Sequence, residues 1–424
     1  MRLNIKNIGI IQDASIEING ITVIAGENNT GKSTVGKALY SVFNSFHRLP
    51  DRMKSEKKST IRQILDRAES DILGVPWDRF DNAPYEISEQ IMDHSDSVSM
   101  DCLREYVLQA IGTDFRSLDQ AQKATLDETA ERIKKVLEIS DEELIQTILT
   151  RRIRSEFNGQ INNIFTENTA EIGLAIQGKE VLIQIRDNTV MGVSDRFNLE
   201  KSILYLDDPQ ILDSVGVGRR HVNAGYAHAI DLQRKLRLGS QNESAVQEIL
   251  TSDKLKKIYE KLGEVCSGDF VKDEQWRFGY RLAGSEKIIQ AENLSTGLKT
   301  FVTIKTLLQN GSLEEKGALI LDEPEIHLHP QWQLVLAELI VLLQKEFSLH
   351  ILLSTHSPYF LDAIEVYSEK YGISEKCKYY RTVMKDQQVV MEDLGHDTES
   401  IYAQLAQPLQ DMENMRNEEN GSRQ

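Results

Sequence analysis

The chain has few cysteines and no long hydrophobic run. Its 424 residues include three cysteines, Cys102, Cys266 and Cys377, whose wide spacing fits no metal-binding pattern. No apolar run approaches the ~20 residues of a membrane span, and residues 1–5 lack the core of a signal peptide. We therefore expect a reduced, cytoplasmic protein without a membrane partner.

Basic residues are outnumbered by acidic ones. The sequence has 49 Lys and Arg against 66 Asp and Glu, a formal net charge of −17. This balance argues against a surface that binds nucleic acid everywhere through counterion release. It leaves room for a local basic groove, and it suits a protein that engages a basic protein partner.

The clearest motif lies near the start of the chain. An apolar run at 21–25 reads as a buried strand, residues 35–43 read as a helix, and G-x-x-x-x-G-K-S lies between them. Gly26 and Gly31 let the backbone turn sharply, Lys32 would contact the β- and γ-phosphates, and Ser33 would bind Mg²⁺. The residues predicted to contact a nucleotide here are Gly26, Asn28, Asn29, Thr30, Gly31, Lys32, Ser33 and Thr34.

Two apolar strands late in the chain end in polar groups. Residues 318–324 run Ala-Leu-Ile-Leu-Asp-Glu-Pro, as a buried parallel strand would. Downstream of a phosphate loop, Asp322 is expected to orient Mg²⁺ and Glu323 to polarise the attacking water. Residues 350–354 form a second such strand, and His356 follows it, where α/β sheets bind ligands. Taken alone, His356 would more often be structural.

A helix start precedes these strands. Residues 293–300 lead into a helical run at 301–308, with Asn293 or Ser295 as candidate N-cap. The alternative to a plain capped helix is a second phosphate-binding helix N-terminus.

Four pieces, at 26–33, 294–299, 319–323 and 355–357, occur in an order that resembles an ABC-type ATPase head. The chain is similar to the SMC-like group, which includes RecF ATPases, coiled-coil break-repair ATPases and the overcoming-lysogenization-defect (OLD) ATPases. The stretch 322–330, Asp-Glu-Pro-Glu-Ile-His-Leu-His-Pro, resembles the OLD-like members most.

The resemblance implies an α/β fold: an ABC-type (P-loop) ATPase head with a mixed sheet, flanking helices and a large helical insert. We expect the first part of the head at 1–47, the insert with β-hairpin elements at 48–290, the second part of the head at 291–406, and a polar, flexible tail at 407–424.

The resemblance also implies a site shared between two copies. One copy's phosphate loop, Asp322, Glu323 and His356 hold ATP and Mg²⁺, and Ser295 and Gly297 of the other copy close over the γ-phosphate. Gln160 is the candidate for a glutamine that touches Mg²⁺ and water in the family. Higher homo-oligomers through the middle region stay open.

Two functions are open at this point. The first is a slow ATPase switch that controls a separately encoded effector, such as a nuclease, in bacterial anti-phage defence of the PARIS or Septu kind, with a phage-encoded trigger. It is favoured because 68 residues after His356 leave no room for the nuclease domain of OLD proteins. The alternative is a RecF-like DNA repair ATPase that clamps DNA.

Overall fold

A computed structural model describes residues 1–74, 83–95, 98–215, 226–238, 245–275 and 277–421 of the chain, without the side chains at 245–253, 409, 413 and 417–421. The chain divides into two compact units. The sheet unit consists of Met1–His47 and Leu149–Gln424, and the helical unit of Arg48–Ile148. Residues 149–290, which the sequence analysis grouped with the insert, thus belong to the sheet unit.

The strands are β1 (Arg2–Ile8), β2 (Ile11–Glu17), β3 (Ile21–Ala25), β4 (Ala170–Ile176), β5 (Lys179–Arg186), β6 (Thr189–Val193), β7 (Ile203–Leu206), β8 (Asp269–Lys272), β9 (Phe278–Arg281), β10 (Ile288–Gln290), β11 (Ala318–Asp322), β12 (His350–Thr355), β13 (Cys377–Lys385) and β14 (Gln388–Gly395). The helices are α1 (Lys32–Phe46), α2 (Leu49–Leu73), α3 (Ala83–Asp93), α4 (Met100–Ile111), α5 (Gln120–Glu138), α6 (Asp141–Glu156), α7 (Ala227–Leu238), α8 (Ala245–Gly263), α9 (Thr296–Gln309), α10 (Pro330–Phe347), α11 (Pro358–Lys370) and α12 (Glu399–Gly421).

One large mixed sheet organises the sheet unit. Its strand order is β6-β5-β4-β1-β2-β14-β13-β3-β12-β11-β7. The run β13-β3-β12-β11-β7 is parallel. The run β6-β5-β4-β1-β2 is antiparallel, and β14 joins the two runs by pairing parallel with β2 and antiparallel with β13. Because parallel strands point the same way, the carboxyl ends of β3, β12, β11 and β7 lie along one edge of the sheet.

Burial explains why the parallel strands are so apolar. All five residues of β3 are buried, as are the first four of β11 and the last five of β12, which is the pattern of strands covered on both faces. One apolar core joins these strands to α9, α10 and α11 through side chains such as Phe301, Leu336, Ile340 and Phe360.

The helical unit has an apolar core of its own. Ile61 from α2, Leu103 and Val107 from α4, and Leu126 and Ile133 from α5 are fully buried within it. Apolar residues at three- and four-residue spacing on each helix supply this core.

The predicted fold class, an α/β ATPase head with a mixed sheet, flanking helices and a helical insert, is confirmed. The β-hairpin elements expected within residues 48–290 include the antiparallel pair of β4 and β5. Residues 407–421, predicted as a flexible tail, continue α12. Of the helices that the structure describes, none is both long enough and apolar enough to cross a membrane.

Candidate nucleotide site

The predicted phosphate loop connects the end of β3 to the start of α1. Gly31 is the residue before the helix and has a φ of +79°, a left-handed conformation that glycine adopts most readily. A Cβ on Gly26 would lie 1.8 Å from Thr382 Oγ1 on β13. The fold therefore requires glycine at position 31 because of its backbone conformation and at position 26 because a side chain would clash.

Two threonines fix the shape of the loop. Thr382 donates a hydrogen bond from Oγ1 to Thr30 Oγ1 at 2.8 Å, and Thr30 donates to the carbonyl oxygen of Glu27 at 2.8 Å. Asn28 and Asn29 are exposed at the tip of the loop, and Asn29 has a φ of +60°. The loop is thus held by β13 from behind while its tip faces solvent.

Lys32 is the buried cation of the site. Its side chain is 4% exposed, and its Nζ lies 3.2 Å from Glu323 Oε1. The same Nζ donates to the carbonyl oxygens of Gly26 at 3.1 Å and Glu27 at 2.7 Å. An ammonium group held this way beside the loop is placed to contact phosphate oxygens.

Asp322 ends β11, and both of its carboxylate oxygens accept hydrogen bonds. The Tyr205 hydroxyl donates to Oδ2 at 2.9 Å, and the Ser354 hydroxyl donates to Oδ1. The Tyr205 hydroxyl also lies 3.5 Å from the carbonyl oxygen of Ser33. Tyr205 therefore connects the two residues, Asp322 and Ser33, that the sequence analysis predicted as Mg²⁺ ligands.

Glu323 has an unusual backbone at the strand end. Its φ of +48° is uncommon for a residue other than glycine, and its amide donates to the Ser354 carbonyl oxygen at 3.1 Å. Its Oε1 lies 3.3 Å from His356 Nδ1 as well as beside Lys32. The left-handed turn thus directs one carboxylate oxygen at both predicted catalytic partners, and strained conformations of this kind concentrate at functional sites.

Glu325 supports the same loop from inside. It is 2% exposed, and Thr355, next to His356, donates a hydrogen bond to its Oε1. Burial raises the pKa of Glu325. This contact joins the loop after β11 to the last residue of β12.

Ser295 and Gly297 lie at the start of α9. Ser295 is the exposed N-cap and accepts from the Leu298 amide at 3.4 Å, which decides between the two N-cap candidates. A Cβ on Gly297 would lie 2.9 Å from the carbonyl oxygen of His327. Among the described residues, no hydrogen bond or ion pair joins Ser295 or Gly297 to the phosphate loop of the same copy.

Gln160 follows the turn after α6 and is exposed. The next residue, Ile161, accepts at its carbonyl oxygen from the Gly9 amide at 2.9 Å. A Cβ on Gly9 would lie 3.5 Å from the side chain of Thr34. The segment therefore runs near the start of α1, and a role for Gln160 in binding Mg²⁺ stays a prediction.

The sequence analysis missed three residues of the site. Tyr205 and Ser354 lie inside apolar strands, where their hydroxyls gave no signal, and Thr382 lies 352 residues from its partner Thr30. The run before Asp207, an apolar strand ending in two acids like the one before Asp322, was the available clue that β7 would join the site.

Fold and site together define a P-loop ATPase domain. The family described as "AAA domain, putative AbiEii toxin, Type IV TA system" matches residues 131–362. This match spans more than half of the chain, and the chain belongs to that family. A second family, described as "AAA ATPase domain", matches residues 1–73, which include the phosphate loop.

Several solved structures of SMC head domains are similar to the chain. The SMC head bound to the C-winged helix domain of ScpA has 13% identity and a TM-score of 0.40, covering 93% of this chain and 97% of that one. The head from Thermotoga maritima has 10% identity and a TM-score of 0.38, covering 93% and 98%. The head with an extended coiled coil, bound to the C-terminal domain of ScpA derived from Pyrococcus furiosus, has 12% identity and a TM-score of 0.40, covering 98% of each chain.

Proposed function

We propose that the protein binds ATP with Mg²⁺ at the carboxyl edge of β3, β11 and β12 and hydrolyses it slowly. The observation that carries this proposal is that one oxygen, Glu323 Oε1, lies 3.2 Å from Lys32 Nζ and 3.3 Å from His356 Nδ1 beside the phosphate loop. Lys32 is about 290 residues from Glu323 and about 320 residues from His356 in the sequence. The parallel pairing of β3, β12 and β11 brings the three residues together.

Each side chain has a definite part in hydrolysis. The loop amides and Lys32 bind the phosphates, and Glu323 accepts a proton from the water that attacks the γ-phosphorus. The bond from the γ-phosphorus to the bridging oxygen breaks, and ADP and phosphate form. His356 donates a hydrogen bond to a γ-phosphate oxygen.

The residues present fit a magnesium ion. Ser33 and Asp322 supply the oxygen ligands that Mg²⁺ prefers, and Gln160 is the third candidate. When bound, Mg²⁺ neutralises charge on the phosphate oxygens. Among the described residues, no group of three His, Cys, Asp or Glu side chains forms a metal site of its own, so the phosphates would complete this one.

We propose further that ATP joins two copies of the chain. The N-terminus of α9, with Ser295 and Gly297, would bind the γ-phosphate held by the other copy, because a helix N-terminus attracts anions. The exposure of Ser295 supports this arrangement. Higher homo-oligomers are compatible with it.

Sedimentation velocity of the Glu323→Gln variant tests the ATP-joined dimer. We expect a dimer with Mg²⁺ and ATP and a monomer with ADP. Ser295→Arg added to this variant should abolish the dimer while ATP still binds. Ser59→Arg in the helical unit, added in the same way, should leave the dimer intact. A dimer that persists with Ser295→Arg would contradict the proposal.

The biological role proposed is a switch in anti-phage defence that holds or releases a separately encoded effector, with a phage-encoded trigger. The family description, which names a toxin of a type IV toxin–antitoxin system, supports a role in a multi-gene system. The acidic net charge of −17 favours this role over a RecF-like clamp on DNA.

Pull-down of tagged Glu323→Gln from cells that carry the neighbouring genes tests the role. Retention of a neighbour-encoded protein after nuclease treatment is the expected result. Retained DNA without a protein partner would favour the repair clamp instead. Phage arrest by this chain with no neighbouring gene present would overturn the effector proposal.

A further inference from the structure

A buried aromatic cluster lies next to Asp322, the proposed Mg²⁺ ligand. Tyr205 is 1% exposed, and its hydroxyl donates to Asp322 Oδ2 at 2.9 Å beside the Ser33 carbonyl oxygen. The tyrosine thus connects β7 with both the end of β11 and the first turn of α1.

The Tyr205 ring is itself fixed by a histidine. The imidazole of His228, on α7, stacks on it with ring centroids 4.3 Å apart and planes at 26°. Tyr226 is also stacked with the imidazole, with ring centroids 5.4 Å apart and planes at 11°. The histidine is therefore packed against two tyrosine rings.

Two carboxylates fix the edge of the same imidazole. Nδ1 lies 2.5 Å from Glu156 Oε2, and Nε2 lies 2.9 Å from Asp207 Oδ2. The side chains of His228 and Glu156 are both 0% exposed. Contacts at both ring nitrogens and stacking with two tyrosine rings together fix the orientation of the imidazole.

Such a cluster is expensive to bury. Taking His228 and Glu156 out of water carries a desolvation penalty, and an apolar cluster of the same volume is often as stable. The arrangement does provide a fixed orientation for Tyr205, which a flexible apolar side chain in place of His228 would not.

From these contacts we infer that Tyr205 is a positioning residue for the magnesium site, and that His228, held by Glu156 and Asp207, positions Tyr205. Tyr205 orients the Asp322 carboxylate beside the first turn of α1, which carries Ser33. This inference rests on the proposed function, because it concerns the same ATP and Mg²⁺ site.

The test compares two buried tyrosines of one cluster. Tyr205→Phe removes the hydroxyl that reaches Asp322. Tyr40→Phe is the matched control, because Tyr40 is also 1% exposed and lies 6.2 Å from Tyr205 between ring centroids, but its hydroxyl bonds Asn44 and the Ala227 carbonyl oxygen. Equilibrium binding of a fluorescent ATP analogue is measured in EDTA and across a MgCl₂ titration.

We expect the Mg²⁺ midpoint to rise about tenfold in Tyr205→Phe, the effect of losing a hydrogen bond to a charged group. Binding in EDTA should be unchanged, and Tyr40→Phe should behave like the unaltered chain. Equal midpoints in all three proteins, or equal shifts in both variants, would overturn the inference and leave the proposed function intact. Absence of nucleotide binding by the unaltered chain would overturn both.

A second pair of variants tests the part of His228. His228→Gln should raise the Mg²⁺ midpoint in the unaltered background and add little in the Tyr205→Phe background, because residues that act through one contact are not additive. Full additivity would show that His228 does not act through the Tyr205 hydroxyl. Thermal melting of each variant confirms that it is folded.

Discussion

Charged residues are held differently at the carboxyl edge of the sheet and in the helical unit. At the edge, Lys32 and Glu323 pair with side chains 4% and 22% exposed. In the helical unit, Lys54 and Asp93 pair with side chains 57% and 62% exposed. The first pair is fixed by surrounding backbone, whereas the second can separate into water at little cost.

Under the proposed function, the buried pair binds ATP, whereas the exposed pair keeps a surface solvated. Helix α2 illustrates the second kind of pair, since Lys58 pairs with Glu89 and Arg62 with Asp66. These two basic side chains, like Lys54, are thus partnered by acids of the same unit. The buried pair of Lys32 and Glu323 does not contribute to surface solvation in this way.

The same substitution should impair hydrolysis in the first region and have no effect in the second. Glu323→Gln is expected to slow ATP hydrolysis by roughly 10²–10⁴-fold, the contribution of a general base, with ATP binding retained. Glu89→Gln should leave the rate unchanged. Steady-state phosphate release measures both, and equal rates in the two variants would remove Glu323 from the mechanism.

A substitution in the core of the helical unit should affect stability but not nucleotide binding. Leu126 is 0% exposed in the helical unit, and Leu126→Ala should lower the free energy of unfolding by about 2–5 kcal/mol. Nucleotide affinity should not change at a temperature where the protein stays folded. Chemical denaturation gives the first quantity and fluorescence titration the second. Loss of affinity in the folded variant would mean that the site depends on the helical core.

Much of the site could be predicted because its signals are local. The glycines of the loop, the apolar runs of β3, β11 and β12, and the Ser295 cap each depend on a few consecutive residues. The support of the site could not be predicted. Tyr205 looks like any apolar strand residue, and His228 meets Glu156 across 72 positions, a contact that only the tertiary fold creates.

The surroundings of His228 predict that the stability of the folded protein depends on pH. Burial alone would lower the pKa of His228, but its hydrogen bonds to Asp207 and Glu156 outweigh burial and raise the pKa to about 9. A raised pKa stabilises the folded state fully below the unfolded value of about 6.5, and this stabilisation disappears as the pH rises through about 9.

We expect the alkaline loss to amount to about 3 kcal/mol. Thermal melts from pH 6 to 10 should show a fall in melting temperature that is absent from His228→Gln. Parallel pH profiles for the two proteins would show that His228 is not charged in the folded state.

The smallest effect should come from the exposed pair. Lys54→Ala removes the contact with Asp93, and we expect melting temperature and hydrolysis rate to stay within error of the unaltered chain, since exposed pairs contribute little. Calorimetry at low and high salt checks this result. A clear loss of stability would show that the helical surface holds its charges more firmly than their exposure indicates.

The most direct test of the nucleotide site compares two lysines of α1. Equilibrium titration with ATP and Mg²⁺ is measured for the unaltered chain, Lys32→Ala and Lys37→Ala, where Lys37 lies over the Tyr226 ring at 4.2 Å. We expect saturable binding by the unaltered chain and Lys37→Ala, and affinity at least about tenfold weaker in Lys32→Ala because a charge-assisted phosphate contact is lost. Equal affinity in Lys32→Ala, or no binding by the unaltered chain, would contradict an ATP site at this edge of the sheet.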